Sequence, residues 1–378
     1  MTVVILETEH RLSREQDEAP HYMTTETPPL PPEPPETPPH VRRKRYRGTH
    51  PRKFHEKYKE HNHQQYAADV EKVIARGQTP AGTHRPICVD EILQILNPQP
   101  GETALDVTFG FGGHSQAILP RLRPGGKLFA TDVDAIERPR TEVRLRSLGF
   151  MEDELVVRAL NFADFAELAP ETNGGFDLIL ADLGVSSMQL DNPQRGFSYK
   201  HDGPLDLRLN PASGNTAAEL LAQLSVDALT KLLLTYADEP NAARIAYGIK
   251  KSNTAITTTK QLADVIRATL KDFPDKNDHK KTLARTFMAL RIEVNQEFAV
   301  LDRFLADLPG AMKPNARVAI LSFHSGEDTR IEKAFQQYAD EKIFSSISIA
   351  AIRASPDEQR SNPRSSSARL RWAVKANL

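Results

Sequence analysis

The pattern of apolar and polar positions divides this chain near residue 80. Beyond residue 84, short apolar runs alternate with amphipathic segments, whereas the earlier residues show no such period. Apolar spacing predicts a helix over Val89–Leu96, which Pro98 and Pro100 stop. Short apolar runs predict strands over residues 103–107, 127–131, 155–158 and 176–181. Because strands alternate with helices, we expect an α/β fold with a parallel, doubly wound sheet.

The middle of the chain has a different period. Apolar spacing there is almost entirely helical, and it predicts helices over residues 217–224, 226–236, 242–251, 259–270 and 285–308. The sheet resumes at residues 317–322. We therefore expect a core formed by residues 81–189 and 284–378, interrupted by a mostly helical insertion over 190–283.

The last apolar segment, residues 368–374, alternates between charged and apolar positions. Arg369 and Arg371 fall on one side of this segment, and Leu370, Trp372 and Val374 fall on the other. Alternation with a period of two predicts a strand that is buried on one face only.

The first 80 residues have the composition of a disordered extension. Residues 28–39 hold eight prolines in twelve positions, which favours extended conformations and cannot close a core. A basic run follows at residues 42–47. This run is compatible with an arm that docks on a polyanion or with a solvated tail, and the proline block is also compatible with a partner motif.

Composition narrows the class of protein further. The 378 residues carry a formal net charge of −1, so total charge does not indicate a nucleic-acid binder. The single cysteine, Cys88, excludes an intramolecular disulfide framework, and we expect it to pack in the core. No apolar run approaches the length of a membrane helix and no secretory signal is evident. We expect a cytoplasmic protein with no membrane partner.

Candidate chemistry begins in the loop after the first predicted strand. Residues 105–115 include Gly110, Gly112 and Gly113 just before a predicted helix. Glycines there allow close approach of a ligand, but Ser115 occupies the place of the third glycine of a dinucleotide fingerprint. Asp132 ends the second strand, where a carboxylate can accept hydrogen bonds from ribose hydroxyls. These features are compatible with a nicotinamide cofactor, with S-adenosylmethionine, or with a plain strand–helix turn.

Asp182 distinguishes the two cofactors. It follows the fourth predicted strand within residues 182–187 (Asp-Leu-Gly-Val-Ser-Ser), at the strand end where such sheets bind ligands. Methylation of an exocyclic amine needs an acceptor for its N–H there, because drawing the nitrogen toward tetrahedral geometry frees its lone pair. Most of the catalysis would be positioning and charge placement. A dehydrogenase has no need of this residue, and its alternative role is to cap the following turn.

Several ordered blocks between about residues 84 and 375 resemble the bacterial small-subunit ribosomal RNA cytosine-N4 methyltransferases, the RsmH or MraW family. The blocks that carry this resemblance lie at residues 84–87, 106–115, 182–187, 189–191, 195–198, 202–208, 285–287, 289–292, 294–295, 297, 322–325, 327–328, 362–365 and 370–371. The resemblance implies a Rossmann-like S-adenosylmethionine-dependent core with a mostly helical inserted domain. It further implies methyl transfer to N4 of a cytidine in the decoding region of 16S rRNA, with the small ribosomal subunit as partner.

The resemblance also implies the site residues. It assigns Gly112, Gly113 and His114 to the methionine part of the cofactor, Asp132 to the ribose and Phe162 to the adenine. Asp182 and Gln189 lie where the cofactor and the target base meet, with Asp182 as the catalytic residue. The candidate RNA contacts are Ser186, Ser187, Arg208, His324, Arg364 and Arg371.

Further expectations concern metals, the oligomeric state, the target base and rival functions. We expect no metal, because methyl transfer needs no Lewis acid, although His324, Glu327 and Asp328 could outline a site. The long helical segment 285–308 could pair two copies in a homodimer. The target base must be unstacked to reach the pocket. Rival functions are a catalytically inactive assembly factor for the small subunit and an amino methyltransferase acting on a different RNA or on DNA.

The chain departs from the family pattern at a few positions. Val133, Met188, Met288, Gly326 and Thr329 replace the residues that the family usually carries. The basic N-terminal extension is taken here as foreign to the family and could compensate for lost basic positions. On that hypothesis, deleting residues 1–80 weakens rRNA binding and flattens its dependence on salt.

Overall fold

A computed structural model describes residues 86–272 and 276–377, with only the backbone of Lys276, and all of them belong to one compact unit. The predicted N-terminal extension lies outside the described residues. The strands are β1 Thr103–Asp106, β2 Lys127–Thr131, β3 Leu155–Arg158, β4 Phe176–Asp182, β5 Met312–Ser322, β6 Phe344–Ile347 and β7 Arg369–Lys375. The helices that precede β5 are α1 Val89–Leu96, α2 Gly113–Leu122, α3 Glu137–Ser147, α4 Ser187–Asp191, α5 Ala217–Gln223, α6 Val226–Ala237, α7 Ala242–Lys250, α8 Thr259–Thr269, α9 Lys276–Asn295 and α10 Glu297–Ala311. Helices α11 Ser325–Asp340 and α12 Pro356–Ser361 follow, and 3₁₀ turns cover Phe162–Glu171, Pro193–Arg195 and Pro363–Ser367.

The seven strands form one sheet in the order β3-β2-β1-β4-β5-β7-β6. The pairs among β1 to β5 are all parallel, whereas β7 runs antiparallel to both β5 and β6. The order turns back on itself between β1 and β4. In sheets of this type, ligands bind at the carboxyl ends of the two strands beside that switch point. The fold is Rossmann-like, and the predicted parallel sheet is confirmed for its first five strands.

Both faces of the sheet are covered, because successive strand side chains point to opposite sides. Leu105 and Ile179 lie in one hydrophobic cluster with helices α10 and α11. Ala104 and Leu178 lie in a second cluster with helices α1, α2 and α3. Burial on both faces explains why the central strands are continuous apolar runs.

The helical segment between β4 and β5 has a hydrophobic cluster of its own. This cluster draws on residues 197–290 and includes Leu229, Ile245 and Leu262 from α6, α7 and α8. Thr216 and Thr258 begin α5 and α8 with capping boxes, in which each threonine accepts a hydrogen bond from the third helical residue. The predicted helices are therefore present, and the treatment of 190–283 as a separate domain stays a prediction.

Two predicted elements were wrong in detail. The single helix over 285–308 is two helices, because Gln296 adopts a left-handed conformation with φ of 51° and separates α9 from α10. The last strand, β7, is covered on both faces rather than one. Arg371 is only 5% exposed, whereas Trp372 is partly exposed, because α11 packs on the Arg371 face, where Asp328 and Glu332 pair with the guanidinium. Among the described residues, no helix is both long and apolar enough to cross a bilayer.

Candidate functional site

A cavity of about 470 Å³ lies at the carboxyl ends of β1 and β4, beside the switch point of the sheet. This volume falls within the range of small-molecule sites. The loops after β1, β2, β3 and β4 form one group of lining segments. Leu209, the α9–α10 junction, the start of α11 and the 3₁₀ turn Pro363–Ser367 form a second group. We name these groups the cofactor side and the target side, after the cofactor and RNA contacts that the sequence predicts.

The loop from β1 to α2 is held by the buried carboxylate of Asp106. It accepts hydrogen bonds from the Ser115 hydroxyl at 2.6 Å and from the Thr108 N–H at 3.1 Å. Burial raises the pKa of Asp106, and the hydrogen bond from Ser115 acts against that rise. A Cβ at Gly113 would lie 2.3 Å from Cγ of Pro86, and one at Gly112 would lie 2.7 Å from Thr141. The glycines are therefore required by the packing of the loop itself.

Asp132 lines the cavity where β2 ends. Its carboxylate accepts hydrogen bonds from the N–H groups of Gly110 at 2.7 Å and Asp134 at 2.8 Å. Burial raises the pKa of Asp132 to about 6, although both of these hydrogen bonds favour the ionised form. The carboxylate is thus ionised above about pH 6 and faces the cavity as an acceptor.

Asp182 and His114 meet on the floor of the cavity. The Asp182 N–H lies 2.6 Å from the hydroxyl of Thr108, and its carboxylate Oδ2 lies 3.4 Å from His114 Nε2. His114 is 7% exposed, and its Nε2 has no hydrogen-bond partner among the described residues. Asp182 remains partly exposed to the cavity, so its carboxylate is available to a ligand.

The turn after β4 is fixed by a capping box at the start of α4. The Ser186 hydroxyl accepts a hydrogen bond from the Gln189 N–H, and Gln189 Oε1 accepts one from the Ser186 N–H. The remaining Nε2 of Gln189 donates to the buried carboxylate of Asp134 at 2.7 Å. Both ends of the Gln189 carboxamide are therefore occupied by the protein.

The α9–α10 junction brings a charged cluster to the target side. Arg291 donates two hydrogen bonds to Glu297, at 2.7 and 2.8 Å, across the break at Gln296. The Asn295 side chain accepts from the Leu209 N–H at 2.7 Å and donates to the Leu207 carbonyl at 2.8 Å. Arg291, Asn295 and Glu297 belong to the sequence blocks that resemble the family. Their common role could not be deduced from those blocks, because the helix break that brings the three residues together was not predicted.

His324 and Glu327 extend this cluster at the start of α11. His324 accepts a hydrogen bond from the Glu327 N–H, and its Nε2 lies 3.3 Å from Glu327 Oε1. Burial would raise the pKa of Glu327, but His324 and the Phe323 N–H outweigh it and lower the pKa. Glu297, His324 and Glu327 offer ligand atoms within 4.8 Å of one another. Arg291 already neutralises Glu297, and the expectation of no metal stays a prediction.

The structure brings most of the predicted site residues into one cavity. The lining includes all seven predicted cofactor residues, Gly112, Gly113, His114, Asp132, Phe162, Asp182 and Gln189, and three predicted RNA contacts, Ser186, Ser187 and Arg364. Phe162 packs edge-on against Phe304, with ring centroids 5.6 Å apart. Arg208, His324 and Arg371 are not among the described residues that line it.

Three of the predicted RNA contacts have carboxylate partners inside the protein. Arg208 pairs with Asp206 at 2.7 Å, and Arg364 pairs with Asp191 at 2.8 Å. Arg371 is buried and pairs with Asp328 at 2.6 Å and with Glu332 at 3.0 Å. Arg371 therefore serves the packing of β7 against α11, and contact with RNA stays a prediction for all three arginines.

The model of a known protein family, described as "MraW methylase family", matches residues 81–376. The chain belongs to this family. The resemblance noted from the sequence blocks is thereby confirmed.

Individual relatives agree over most of their length. The chain is 50% identical to "Ribosomal RNA small subunit methyltransferase H 2" of Alkaliphilus metalliredigens over 341 residues, which covers 89% of this chain and 97% of the relative. It is 49% identical to "Ribosomal RNA small subunit methyltransferase H 1" of Lachnoclostridium phytofermentans over 346 residues, covering 90% and 94%.

These alignments correct one expectation about the N-terminal extension. Only 298 of the 378 residues follow position 80, which is less than the 89–90% of the chain that both relatives match. Part of the extension therefore has a counterpart in these family members. The family model itself begins at residue 81, so this part of the extension is shared with these two relatives but lies outside the segment that the family model matches.

S-adenosylmethionine is the cofactor of this methylase family member, and the cofactor side of the cavity fits it. Asp132 presents an acceptor for hydroxyl groups, and Phe162 presents an aromatic ring edge. His114 Nε2 is a buried polar atom without a partner among the described residues, which is a position that a polar ligand group can satisfy. The partly exposed carboxylate of Asp182 favours a ligand that carries positive charge.

Proposed function

We propose that this MraW family member methylates the exocyclic N4 of a cytidine in the decoding region of 16S rRNA, with S-adenosylmethionine as methyl donor. The observation that carries this proposal is the place of Asp182. Its partly exposed carboxylate lies in the same cavity as Asp132 and the 112–114 loop, at the switch point of the sheet. The names of the relatives support small-subunit rRNA as the substrate.

The proposed role of Asp182 follows from the chemistry of an aromatic amine. Bound S-adenosylmethionine supplies a methyl group that is electrophilic because it is attached to a sulfonium. The Asp182 carboxylate accepts a hydrogen bond from the amine, which localises the nitrogen lone pair and stabilises the positive charge that develops on nitrogen. Such stabilisation acts strongly in a site that excludes water.

The target side would hold the target cytidine once this nucleotide has been turned out of the base stack of the RNA. The cavity is recessed, so a cytidine within a folded RNA must be turned out of its stack to reach Asp182. The 3₁₀ turn Pro363–Ser367 lines that side, and Ser187, from the loop after β4, lines the same cavity. Arg364, which is held by Asp191, offers a positive charge at its edge.

The test is nucleoside mass spectrometry on small subunits that lack the modification. They are incubated with S-adenosylmethionine and the wild-type chain, Asp182→Ala, or Asp227→Ala, an exposed carboxylate on α6 that serves as the matched control. We expect N4-methylcytidine at one decoding-region cytidine, lost by about 100-fold or more in Asp182→Ala and retained in the control.

Other outcomes would replace the proposal. Methylation at another nucleotide or in another RNA would assign a different substrate to the same site. Cofactor binding without methylation of any subunit RNA would favour the assembly-factor function.

A further inference from the structure

A buried ion pair lies directly behind the wall of the cavity. Asp134, three residues after the end of β2, is 1% exposed, and Arg195, in the 3₁₀ turn Pro193–Arg195, is 6% exposed. Arg195 Nη1 lies 2.7 Å from Asp134 Oδ2. Neither residue is among the described residues that line the cavity. The pair therefore acts on a ligand only through its neighbours.

Asp134 is connected to both sides of the cavity. Its Oδ1 accepts hydrogen bonds from the Ile136 and Glu137 N–H groups, which begin α3. Its Oδ2 accepts from Gln189 Nε2, which lies in the wall, as well as from Arg195. Burial alone would raise the pKa of Asp134, but the hydrogen bonds from Arg195 and Gln189 lower it, so the carboxylate stays ionised.

Arg195 extends the connection into the helical segment. Its Nη2 donates to the carbonyls of Leu209 at 2.9 Å and Arg208 at 3.2 Å. The Leu209 N–H in turn donates to Asn295. Leu209 and Asn295 both line the target side of the cavity. The Arg195 guanidinium therefore holds Leu209, and through it Asn295, in position in the cavity wall.

The turn after β2 that holds Asp134 also holds Asp132, the carboxylate that is predicted to bind the cofactor. Asp132 Oδ1 accepts the N–H of Asp134, and its Oδ2 accepts the N–H of Gly110 in the first loop. A ligand that orders the Asp132 carboxylate therefore also orders the backbone from which Asp134 extends. From there the contacts continue without a gap to Gln189, Arg195, Leu209 and Asn295.

We propose that Arg195 is a positioning residue that couples cofactor occupancy at Asp132 to the shape of the target-side wall. This inference rests on the proposed function, because it assigns Asp132 to the cofactor and the opposite wall to the nucleotide. Cofactor and RNA would then raise each other's affinity, since coupling between two sites is reciprocal. An arginine suits this place because its planar fork carries separate nitrogens for the carboxylate and for the two carbonyls, whereas a lysine has one nitrogen for all three.

Hydrogen exchange of the full chain tests the link without requiring catalysis. The probe is S-adenosylhomocysteine, and the readout is exchange of the backbone amides in residues 206–210. In the wild type, the probe should slow this exchange by about fivefold or more. In Arg195→Lys, the probe should still bind within about threefold of the wild-type affinity, but the slowing should disappear.

Arg317→Lys is the matched control. Arg317 also bridges a carboxylate, Glu102, and a backbone carbonyl, Leu96, but it is not among the described residues that line the cavity. We expect this variant to keep the slowing at 206–210. If Arg195→Lys does not fold, Asp134→Asn removes the same ion pair and takes its place.

The kinetics provide a second readout. We expect Arg195→Lys to raise KM for the small subunit by about tenfold with a smaller change in KM for S-adenosylmethionine. Unchanged exchange at 206–210 in the wild type, or slowing that persists in Arg195→Lys, would overturn the coupling. Slowing without any methylation of the subunit would leave the link standing and overturn only the proposed function.

Discussion

The two sides of the cavity are built in different ways. The cofactor side comes from four loops that each follow a strand, and its residues lie in short stretches at 106–114, 132–133, 160–162 and 182–190. The target side is assembled from segments far apart in the chain, at Leu209, 291–301, 323–327 and 362–367. Local sequence is therefore sufficient to build the first side, whereas the second exists only in the folded chain.

The two sides also differ in how their charges are balanced. On the cofactor side, Asp132 and Asp182 accept mainly backbone N–H groups or approach His114, and neither forms a salt bridge with a lysine or arginine among the described residues. On the target side, Arg291 and Arg364 are paired with Glu297 and Asp191. The cofactor side is arranged to receive a cation, whereas the target side holds a rigid shape whose charges are mostly satisfied.

The largest expected effect on stability lies on the target side. Arg291→Met leaves the carboxylate of Glu297, which is only 11% exposed, without its cation, so the free energy of unfolding should fall by about 3 kcal/mol. The double variant Arg291→Met/Glu297→Gln should recover most of this loss, because it leaves no unpaired charge. Denaturant unfolding of the three proteins measures both effects. A double variant as unstable as the single one would contradict the paired charge as the cause.

The next effect lies in the first loop on the cofactor side. Gly113→Ala places a Cβ against the ring of Pro86, so we expect a loss of about 1–3 kcal/mol in the free energy of unfolding. The displaced loop should also bind S-adenosylhomocysteine more weakly, as measured by calorimetry. Gly310→Ala, in the helix α10 with open space around the new methyl group, is the control and should gain about 0.5–1 kcal/mol. Equal stability of the two variants would show that Pro86 can move aside.

A third effect depends on pH. Burial raises the pKa of Asp132 to about 6, so its carboxylate loses charge as the pH falls through that value. Affinity for S-adenosylhomocysteine should therefore decrease by up to about fourfold between pH 7.5 and pH 5.5 in the wild type. Asp132→Asn cannot ionise and should show a flatter profile with weaker binding at pH 7.5. Parallel profiles for the two proteins would assign the titration to another group.

The same raised pKa has a consequence for folding with the opposite sign. A carboxyl whose pKa is higher in the folded state stabilises that state below the ordinary pKa of aspartate. This contribution is lost as the pH rises through about 6. Stability and cofactor affinity should therefore respond to the titration of Asp132 in opposite directions.

The smallest expected effect is that of an exposed pair at the cavity edge. Arg364→Gln removes a partly exposed salt bridge to Asp191, so unfolding free energy should change by less than about 1 kcal/mol. If Arg364 contacts a phosphate, binding of the small subunit should weaken and its salt dependence should fall by about one charge. Unchanged binding and salt slope would give Arg364 a purely structural role and sharpen the contrast with the cofactor side.

One departure from the family pattern is explained by packing rather than by the site. A Cβ at Gly326 would lie 2.5 Å from the ring of Phe298, and that ring lies under the guanidinium of Arg330 at 3.8 Å. The glycine thus leaves space for a ring on the neighbouring helix. The departures at Val133 and Met288 have no comparable contact that explains them.

By itself, the sequence determined the strands of the parallel sheet and the cofactor side of the cavity. Strand ends and glycine loops are local features, and Asp132 and Asp182 follow their strands directly, so periodicity and spacing were enough to find them. Tertiary structure alone decided the break at Gln296, the burial of Arg371 within β7 and the Asp134–Arg195 pair. Each of these depends on contacts between residues far apart in the chain, and the apolar period of a segment carries no information about its distant partners.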